Sequence, residues 1–337
     1  MDDTIQSASV AFRSRREQTH YWLLFTLLAI LAILFTIGLI VYNNPVAIDS
    51  PSFLPVVRRR FNAVITMLIV AVCQGLATVA FQSISQNRII TPSLLGFEAL
   101  YTSIQTATVY FFGLSALINF SGNTAFIIQM SLMVGCSILL YGYMLKDIAD
   151  LQLILLVGVV LGSGLKSVSA FMRTLLEPAE FDVLQARLFG SVNNANPDSF
   201  PLAIGLVLIA SVLLFFYANH LNLLTLGSDI STNLGANPRY STIFVLFIVS
   251  VLMSVSTALL GSISFLGFLA ATLTYQSVST FDHRYLFPMV ILFSYLILTA
   301  SYFFMYHIFN AQGVVTLIIE LFGGVAFLLV LLKRGKS

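Results

Sequence analysis

The chain has 337 residues, of which 58% are hydrophobic and only 9% are charged, and its formal net charge is +2. A soluble domain has about 25% charged residues, so the composition excludes a soluble enzyme, and the small net charge excludes a nucleic-acid-binding surface. A membrane-spanning helix needs about 20 apolar residues. The chain is therefore predicted to be an all-α, polytopic membrane protein.

Six apolar runs in the first two thirds of the chain are predicted to cross the membrane, four of them without a charge and two with one charge each, Glu98 and Lys166. The first follows a basic segment and has no small-residue cleavage site, which indicates a retained span rather than a signal peptide. The polar stretch 173–198 is expected to lie at the surface and to contain a short helix. The six predicted spans are 21–42, 61–81, 93–111, 120–145, 151–171 and 199–220.

Two longer runs in the remainder must each fold back. Between Arg239 and Asp282 lie 42 residues without a charge. As one helix they would be about 63 Å long, twice the hydrocarbon thickness. Breaks are predicted at residues 261–264 and again at residues 310–313. The four resulting spans bring the predicted total to about ten.

An even number of spans places both termini on one side of the membrane. Both ends are basic, at residues 13–16 and 333–336, so the positive-inside rule predicts that side to be the cytoplasm. Residues 1–20 are then a cytoplasmic tail, and residues 1–337 form a single membrane domain.

Chemistry-bearing residues are sparse within these spans. The sequence has no P-loop, no nucleophile–base motif and no metal-type spacing of Cys and His, so neither catalysis nor a metal site is predicted. Three charges, Glu98, Lys166 and Glu320, fall within or beside predicted spans, where charges are functional candidates by default. They are predicted to belong to a transport pathway, the alternative being a buried pair or an interface contact.

The loop after the sixth predicted span, residues 221–238, is too short and too polar to cross a membrane. Leu226, Ile230 and Leu234 recur at every fourth position and would form one apolar stripe on a short helix. Such a helix either lies flat on lipid or packs its stripe into a groove of a partner protein. The loop has no basic residue to meet lipid headgroups, which favours the partner protein.

Residues at both ends of this short helix predict where it begins and ends. Ser228 or Asp229 is expected to cap its start with a side-chain oxygen. Gly235 is expected to end it in the left-handed conformation.

Arg58, Arg59 and Arg60 precede the second predicted span on the outer side, where the positive-inside rule disfavours them. Arginine forms bidentate pairs with carboxylates, so the cluster is predicted to dock acidic residues of an extracytoplasmic partner. The alternatives are anchoring to lipid headgroups and a span boundary displaced by a few residues.

Several strings along the chain resemble the permease subunits of ABC importers for iron–siderophores, haem and cobalamin. The variant N-R-I-x-T-P-S-x-L-G at 87–96 resembles a subgroup that handles catechol-type siderophores such as petrobactin and pairs with a second, different permease. The chain departs from the family pattern at Ser262, Glu320 and Phe322. The matching strings are QNRIITPSLLGF (86–97), LFGSVNN (188–194), LNLLTLGSDISTNLGAN (221–237), GSISFLGF (261–268), FDHRYLFP (281–288) and GVVT (313–316).

The resemblance implies a multi-pass permease subunit of a bacterial ABC importer for ferric siderophores, located in the cytoplasmic membrane. Its implied partners are an ATPase dimer that binds ATP and magnesium, a second permease, either different or identical, and an extracytoplasmic siderophore-binding protein. No cofactor is expected in this chain. The loop 221–238 would contact the ATPase, and Gly96 would join the three charges as a pathway candidate. The alternative function is an ion-coupled secondary transporter that uses the three charges.

Overall fold

The computed structural model describes residues 11–42, 46, 49–119, 122–147, 151–192, 195–308 and 315–334. Within these residues the chain forms helices and no β-strand, which confirms the all-α expectation. The helices are α1 (Arg15–Val41), α2 (Phe53–Ser85), α3 (Phe97–Asn119), α4 (Gly122–Asp147), α5 (Leu151–Thr174), α6 (Pro178–Leu188), α7 (Phe200–Phe216), α8 (Ala218–Leu224), α9 (Ser228–Asn233), α10 (Pro238–Leu260), α11 (Leu266–Ser277), α12 (His283–His307) and α13 (Val315–Arg334).

Several of these helices can cross a membrane, which supports a multi-pass membrane protein. Among the described residues, seven helical stretches are long and apolar enough to do so: Arg15–Val41, Phe53–Ser85, Gly122–Leu139, Leu155–Thr174, Pro197–Phe216, Pro238–Leu260 and His283–His307. By contrast, α11 has 12 residues and is about 18 Å long, shorter than the roughly 30 Å hydrocarbon layer. The count of ten spans and the cytoplasmic location of both termini therefore stay predictions.

The interior of the bundle is built around α2 and α10. In the most apolar 18-residue stretch of each helix, the buried share is 83% for α2, 72% for α10 and 17% for α1. The central helix α2 packs against α10, α11 and α12. Gly267 on α11 allows one of these close approaches, because a Cβ there would lie 3.1 Å from the Gln74 backbone oxygen. Small residues serve this purpose in membranes, where no hydrophobic effect drives helices together.

The break predicted at residues 261–264 is confirmed, since α10 ends at Leu260 and α11 begins at Leu266. Gly261 has a φ of +95°, which an L side chain rarely adopts. The broken segment is held by the chain that follows α6, where the Ser191 backbone N–H donates to the Leu260 carbonyl at 2.9 Å. The second predicted break, at residues 310–313, lies outside the described residues. The short surface helix expected within 173–198 is α6.

Candidate functional site

The apolar stripe, formed by Leu226, Ile230 and Leu234, is exposed in the structure. These side chains are 52%, 51% and 57% exposed, respectively. The helix beneath them is shorter than predicted, because α9 has only six residues and contains Ile230 alone of the three. Leu226 precedes it and Leu234 is its C-cap. The stripe thus combines one helical residue with two in the flanking turns.

The predicted start of α9 was wrong and its predicted end is confirmed. Gly227, with a φ of +105°, occupies the N-cap, and no side chain caps the helix. Ser228 and Asp229 instead lie inside the first turn, where the Ser228 hydroxyl donates to Asp229 Oδ1 at 3.4 Å. Gly235 has a φ of +84° and donates its N–H to the Thr232 carbonyl at 2.9 Å. This glycine closes the helix in the left-handed conformation expected of it.

The stripe is attached to the bundle through the preceding helix, α8. Ala218 and Leu221 are fully buried and Leu224 is 4% exposed, and α8 packs against α2 and α12. The Gln86 side-chain amide, just after α2, donates to the Leu224 carbonyl at 3.4 Å. The loop therefore consists of a buried base, α8, followed by an exposed helix, α9.

The three predicted membrane charges, Glu98, Lys166 and Glu320, form one charge cluster. They belong to three different helices, α3, α5 and α13, yet Glu320 interacts electrostatically with both Glu98 and Lys166. The Ser264 hydroxyl donates to Glu98 Oε2 at 2.7 Å. Among the described residues, Glu98 Oε1 is buried without a hydrogen-bond partner. Lys166 is exposed and Glu320 is partly exposed, so the cluster reaches the surface of this single chain.

Gly96 positions α3, the helix that carries Glu98. It ends a 3₁₀ turn at Pro92–Leu95 with a φ of +89°. A Cβ at this position would lie 3.3 Å from the Gly158 carbonyl oxygen and 3.5 Å from the Gly162 Cα on α5. Glycine is needed here both for the backbone conformation and for the contact between α3 and α5.

The arginine cluster lies inside α2 and not before it. The helix begins at Phe53, about two turns before residue 61, where the membrane span is predicted to begin. Arginine is a good helix former, and the cluster extends the helix beyond its apolar run. Arg58 and Arg59 are exposed.

Arg60 has a structural contact that the sequence did not predict. Its guanidinium Nη1 donates to the backbone carbonyls of Leu39, Ile40 and Tyr42, at 3.3, 3.1 and 2.9 Å. The last carbonyls of a helix lack partners within the helix, and a cation is favoured there. Arg60 therefore caps α1 and ties it to α2.

The chain is similar to known transport proteins over most of its length. The model of the FecCD transport family matches residues 21–333. The chain belongs to the FecCD transport family. It is 56% identical over 330 residues to the petrobactin import system permease protein FatC of Bacillus anthracis, covering 98% of this chain and 93% of that protein. It is 35% identical to the petrobactin import system permease protein YclO of Bacillus subtilis strain 168, covering 83% and 89%.

A solved structure has the same fold as this FecCD-family chain. It is described as an inward-facing conformation of a metal-chelate type ABC transporter, and it aligns with a TM-score of 0.78 over 93% of this chain and 99% of that one. The sequence identity is 19%, so this likeness establishes the fold alone.

Sequence reasoning missed Asn222, which is the polar attachment point of α8. Its side chain bonds to Asp282 and to His283 at the start of α12. The available signal was the string FDHRYLFP (281–288), which the sequence analysis used only to recognise the family. Nothing in the loop sequence relates Asn222 to that string, because the two are about 60 positions apart.

Proposed function

We propose that this chain is the permease subunit of an ABC importer that carries a ferric siderophore of the catechol type across the cytoplasmic membrane. The observation that carries the proposal is the 56% identity to a petrobactin import permease over 98% of this chain. A second petrobactin import permease matches over 83% of the chain. The catechol-like variant at residues 87–96 supports the same substrate class.

The importer would operate as an assembly in which this chain supplies no catalytic group. A separate ATPase dimer would bind ATP and magnesium and receive the apolar stripe. The three half-exposed apolar side chains on and beside α9 suit such a contact, since burying them from water is favourable. A second permease, a different chain or an identical one, and an extracytoplasmic siderophore-binding protein would complete the machine.

The charge cluster would lie on the pathway between the two permeases. A charged side chain facing lipid is costly, and intramembrane charges generally face protein or a water-filled cavity. Lys166 is exposed on α5 in the single chain, so a facing subunit or an aqueous path would stabilise it. Closure of the ATPase dimer would then rock the two permeases and open this path to one side at a time.

An ion-coupled secondary transporter could use the same three charges. The match to the FecCD transport family extends over residues 21–333 and favours the importer. An importer requires ATP and a separate ATPase, whereas an ion-coupled transporter would retain uptake when this chain is reconstituted alone under an ion gradient.

Docking of the binding protein would use the exposed arginines, Arg58 and Arg59, rather than all three. Arg60 is engaged by the end of α1. Contacts between exposed charges weaken as ionic strength rises. Reversing Arg58 and Arg59 to Glu should remove most of the salt dependence of binding-protein affinity for the reconstituted permease. An affinity that changes neither with ionic strength nor with the charge reversal at Arg58 and Arg59 would favour anchoring to lipid headgroups instead.

The substrate proposal is tested by deleting the gene in a strain without a redundant importer. Growth on a ferric catecholate as sole iron source should be abolished, while growth on ferrous iron is unchanged. Complementation with the wild-type gene should restore growth. Undiminished uptake of siderophore-bound iron in the deleted strain would reject the proposal.

A further inference from the structure

A hydrogen-bonded chain, partly buried at Asn222 and fully buried at His283, joins the loop that carries the apolar stripe to two membrane helices. It begins at Asn222 on α8, whose side-chain Nδ2 donates to Asp282 Oδ1 at 3.0 Å. Asn222 Oδ1 accepts the backbone N–H of His283, also at 3.0 Å, and is in contact with His283 Nδ1. Asp282 caps α12 by accepting the Arg284 N–H at 3.0 Å. One amide therefore holds the first turn of α12 at three atoms.

The orientation of this amide follows from its partners. The carboxylate of Asp282 can only accept, so it faces Nδ2, and the backbone N–H of His283 can only donate, so it faces Oδ1. Because Asn222 Oδ1 is an acceptor, His283 Nδ1 carries a proton and donates to it. Every hydrogen-bonding atom of the amide that faces α12 is thus matched by type.

The imidazole of His283 extends the chain to a second membrane helix. His283 is fully buried, and its Nε2 lies 2.6 Å from the Ser83 hydroxyl near the end of α2. With the proton of the neutral ring on Nδ1, Nε2 accepts the single proton of the Ser83 hydroxyl. Ser83 is 4% exposed, and its oxygen also lies 2.7 Å from the Val79 carbonyl oxygen of its own helix. An unbroken path of hydrogen bonds therefore leads from α8 through α12 to α2, the central helix of the bundle, beside the direct bond from Gln86 to the Leu224 carbonyl.

Directional bonds of this kind constrain motion differently from apolar packing. Leucine side chains can slide past one another, whereas a buried donor that leaves its acceptor remains unpaired and is penalised. A displacement of α8 must then take the start of α12 and the end of α2 with it. The apolar contacts of α8 alone do not impose this requirement.

Resting on the importer function proposed above, we infer that Asn222, His283 and Ser83 are positioning residues that transmit movement of the ATPase-contacting loop to α12 and α2. In this role the three residues need contact neither the chelate nor ATP. They determine how much of the displacement at α9 reaches the helices that enclose the path. Their loss would leave the ATPase bound and active but partly disconnected from transport.

The test is the number of ATP molecules hydrolysed per chelate imported by the full complex in proteoliposomes, with the binding protein present. Ser83→Ala breaks the last bond of the chain, and Asn222→Ala breaks the first. The number of ATP molecules hydrolysed per imported chelate should rise at least about fivefold in Asn222→Ala, which is the lower end of typical coupling effects. The rise in Ser83→Ala should be smaller. Because the bonds are in series, the double variant should match Asn222→Ala alone. Ser83→Thr retains the hydroxyl and should keep the wild-type ratio.

A matched control separates transmission from general stability. Ser241 on α10 is also 4% exposed, and its hydroxyl receives the Tyr217 hydroxyl at 2.7 Å, at the other end of α8. Ser241→Ala removes a side-chain hydrogen bond of similar length, though only a partly buried one, without touching the chain, and should leave the ratio unchanged. An equal rise in Ser241→Ala, or an unchanged ratio in Ser83→Ala, would overturn the inference.

The outcome also separates this inference from the proposed function. If the wild-type complex imports no ferric chelate with ATP, the importer function itself fails. If the wild type imports normally and the variants keep its ratio, only the transmission chain fails. Should Asn222→Ala not assemble, the comparison of Ser83→Ala with Ser83→Thr and Ser241→Ala decides the question.

Discussion

Helices α8 and α9 are neighbours in one loop and both carry apolar side chains, but those of α8 are buried and those of α9 are exposed. On α8, Leu221 is fully buried, whereas Leu234 at the end of α9 is 57% exposed. The apolar residues of α8 pack against α2 and α12 of the same chain, whereas the apolar stripe on and beside α9 is about half exposed. An exposed group of apolar residues marks an interaction site. Under the proposed function, α8 would be the base of the ATPase-contacting loop and α9 its contact surface.

The largest effect, on the yield of folded permease, should come from placing a charge at a buried position of α8. Leu221→Glu would bury an unpaired carboxylate between α8 and the bundle, at a cost of several kcal/mol. We expect little folded permease after detergent extraction, measured as the yield of the monodisperse peak. Leu221→Met, which conserves volume, should lower stability by less than about 1.5 kcal/mol. A normal yield of Leu221→Glu would show that α8 is not a buried base.

The same charge at an exposed position beside α9 should leave folding intact and weaken binding of the ATPase. Leu234→Glu lies in water in the isolated permease but would be buried against the ATPase. A cost of about 3 kcal/mol would weaken binding roughly 100-fold. Co-purification should therefore lose the ATPase, while the permease yield and melting temperature match the wild type. Retention of the ATPase with undiminished transport would mean that α9 is not the contact surface.

The smallest effect should come from the turn that orients Leu234. Gly235→Ala meets no atom within 4 Å, but its backbone has a φ of +84°. The left-handed conformation costs an L-residue about 1 kcal/mol, which would weaken ATPase binding by roughly fivefold. Gly235→Asn should be milder, since asparagine tolerates this conformation. Titration of the ATPase against immobilised permease measures the difference.

A second glycine serves as the control for that measurement. Gly205 on α7 also has no atom within 4 Å of an added Cβ, and its backbone is not in the left-handed region. Gly205→Ala should therefore leave ATPase affinity unchanged. Equal effects of Gly235→Ala and Gly205→Ala would remove the conformational explanation.

Local features of the chain were predicted well because their causes lie within a few residues. The break at 261–264 follows from a run too long for one helix, and the left-handed Gly235 from its place after an apolar repeat. The N-cap of α9 was predicted wrongly because residue type alone does not determine where the backbone enters the helix. Ser228 and Asp229 are good caps by type, but Gly227, with a φ of +105°, already begins the helix one residue earlier.

The sequence by itself determined the all-α membrane class, the family and the apolar stripe, because these depend on composition, periodicity and short strings. Only the tertiary structure decided that α2 lies in the interior of the helix bundle and α1 at its periphery, since both are apolar enough to span a membrane. It also decided that Arg60 caps α1, that Glu320 interacts with Glu98 and Lys166, and that Asn222 holds α12. Each of these depends on contacts between different helices, and helical periodicity carries no information about which faces of which helices meet.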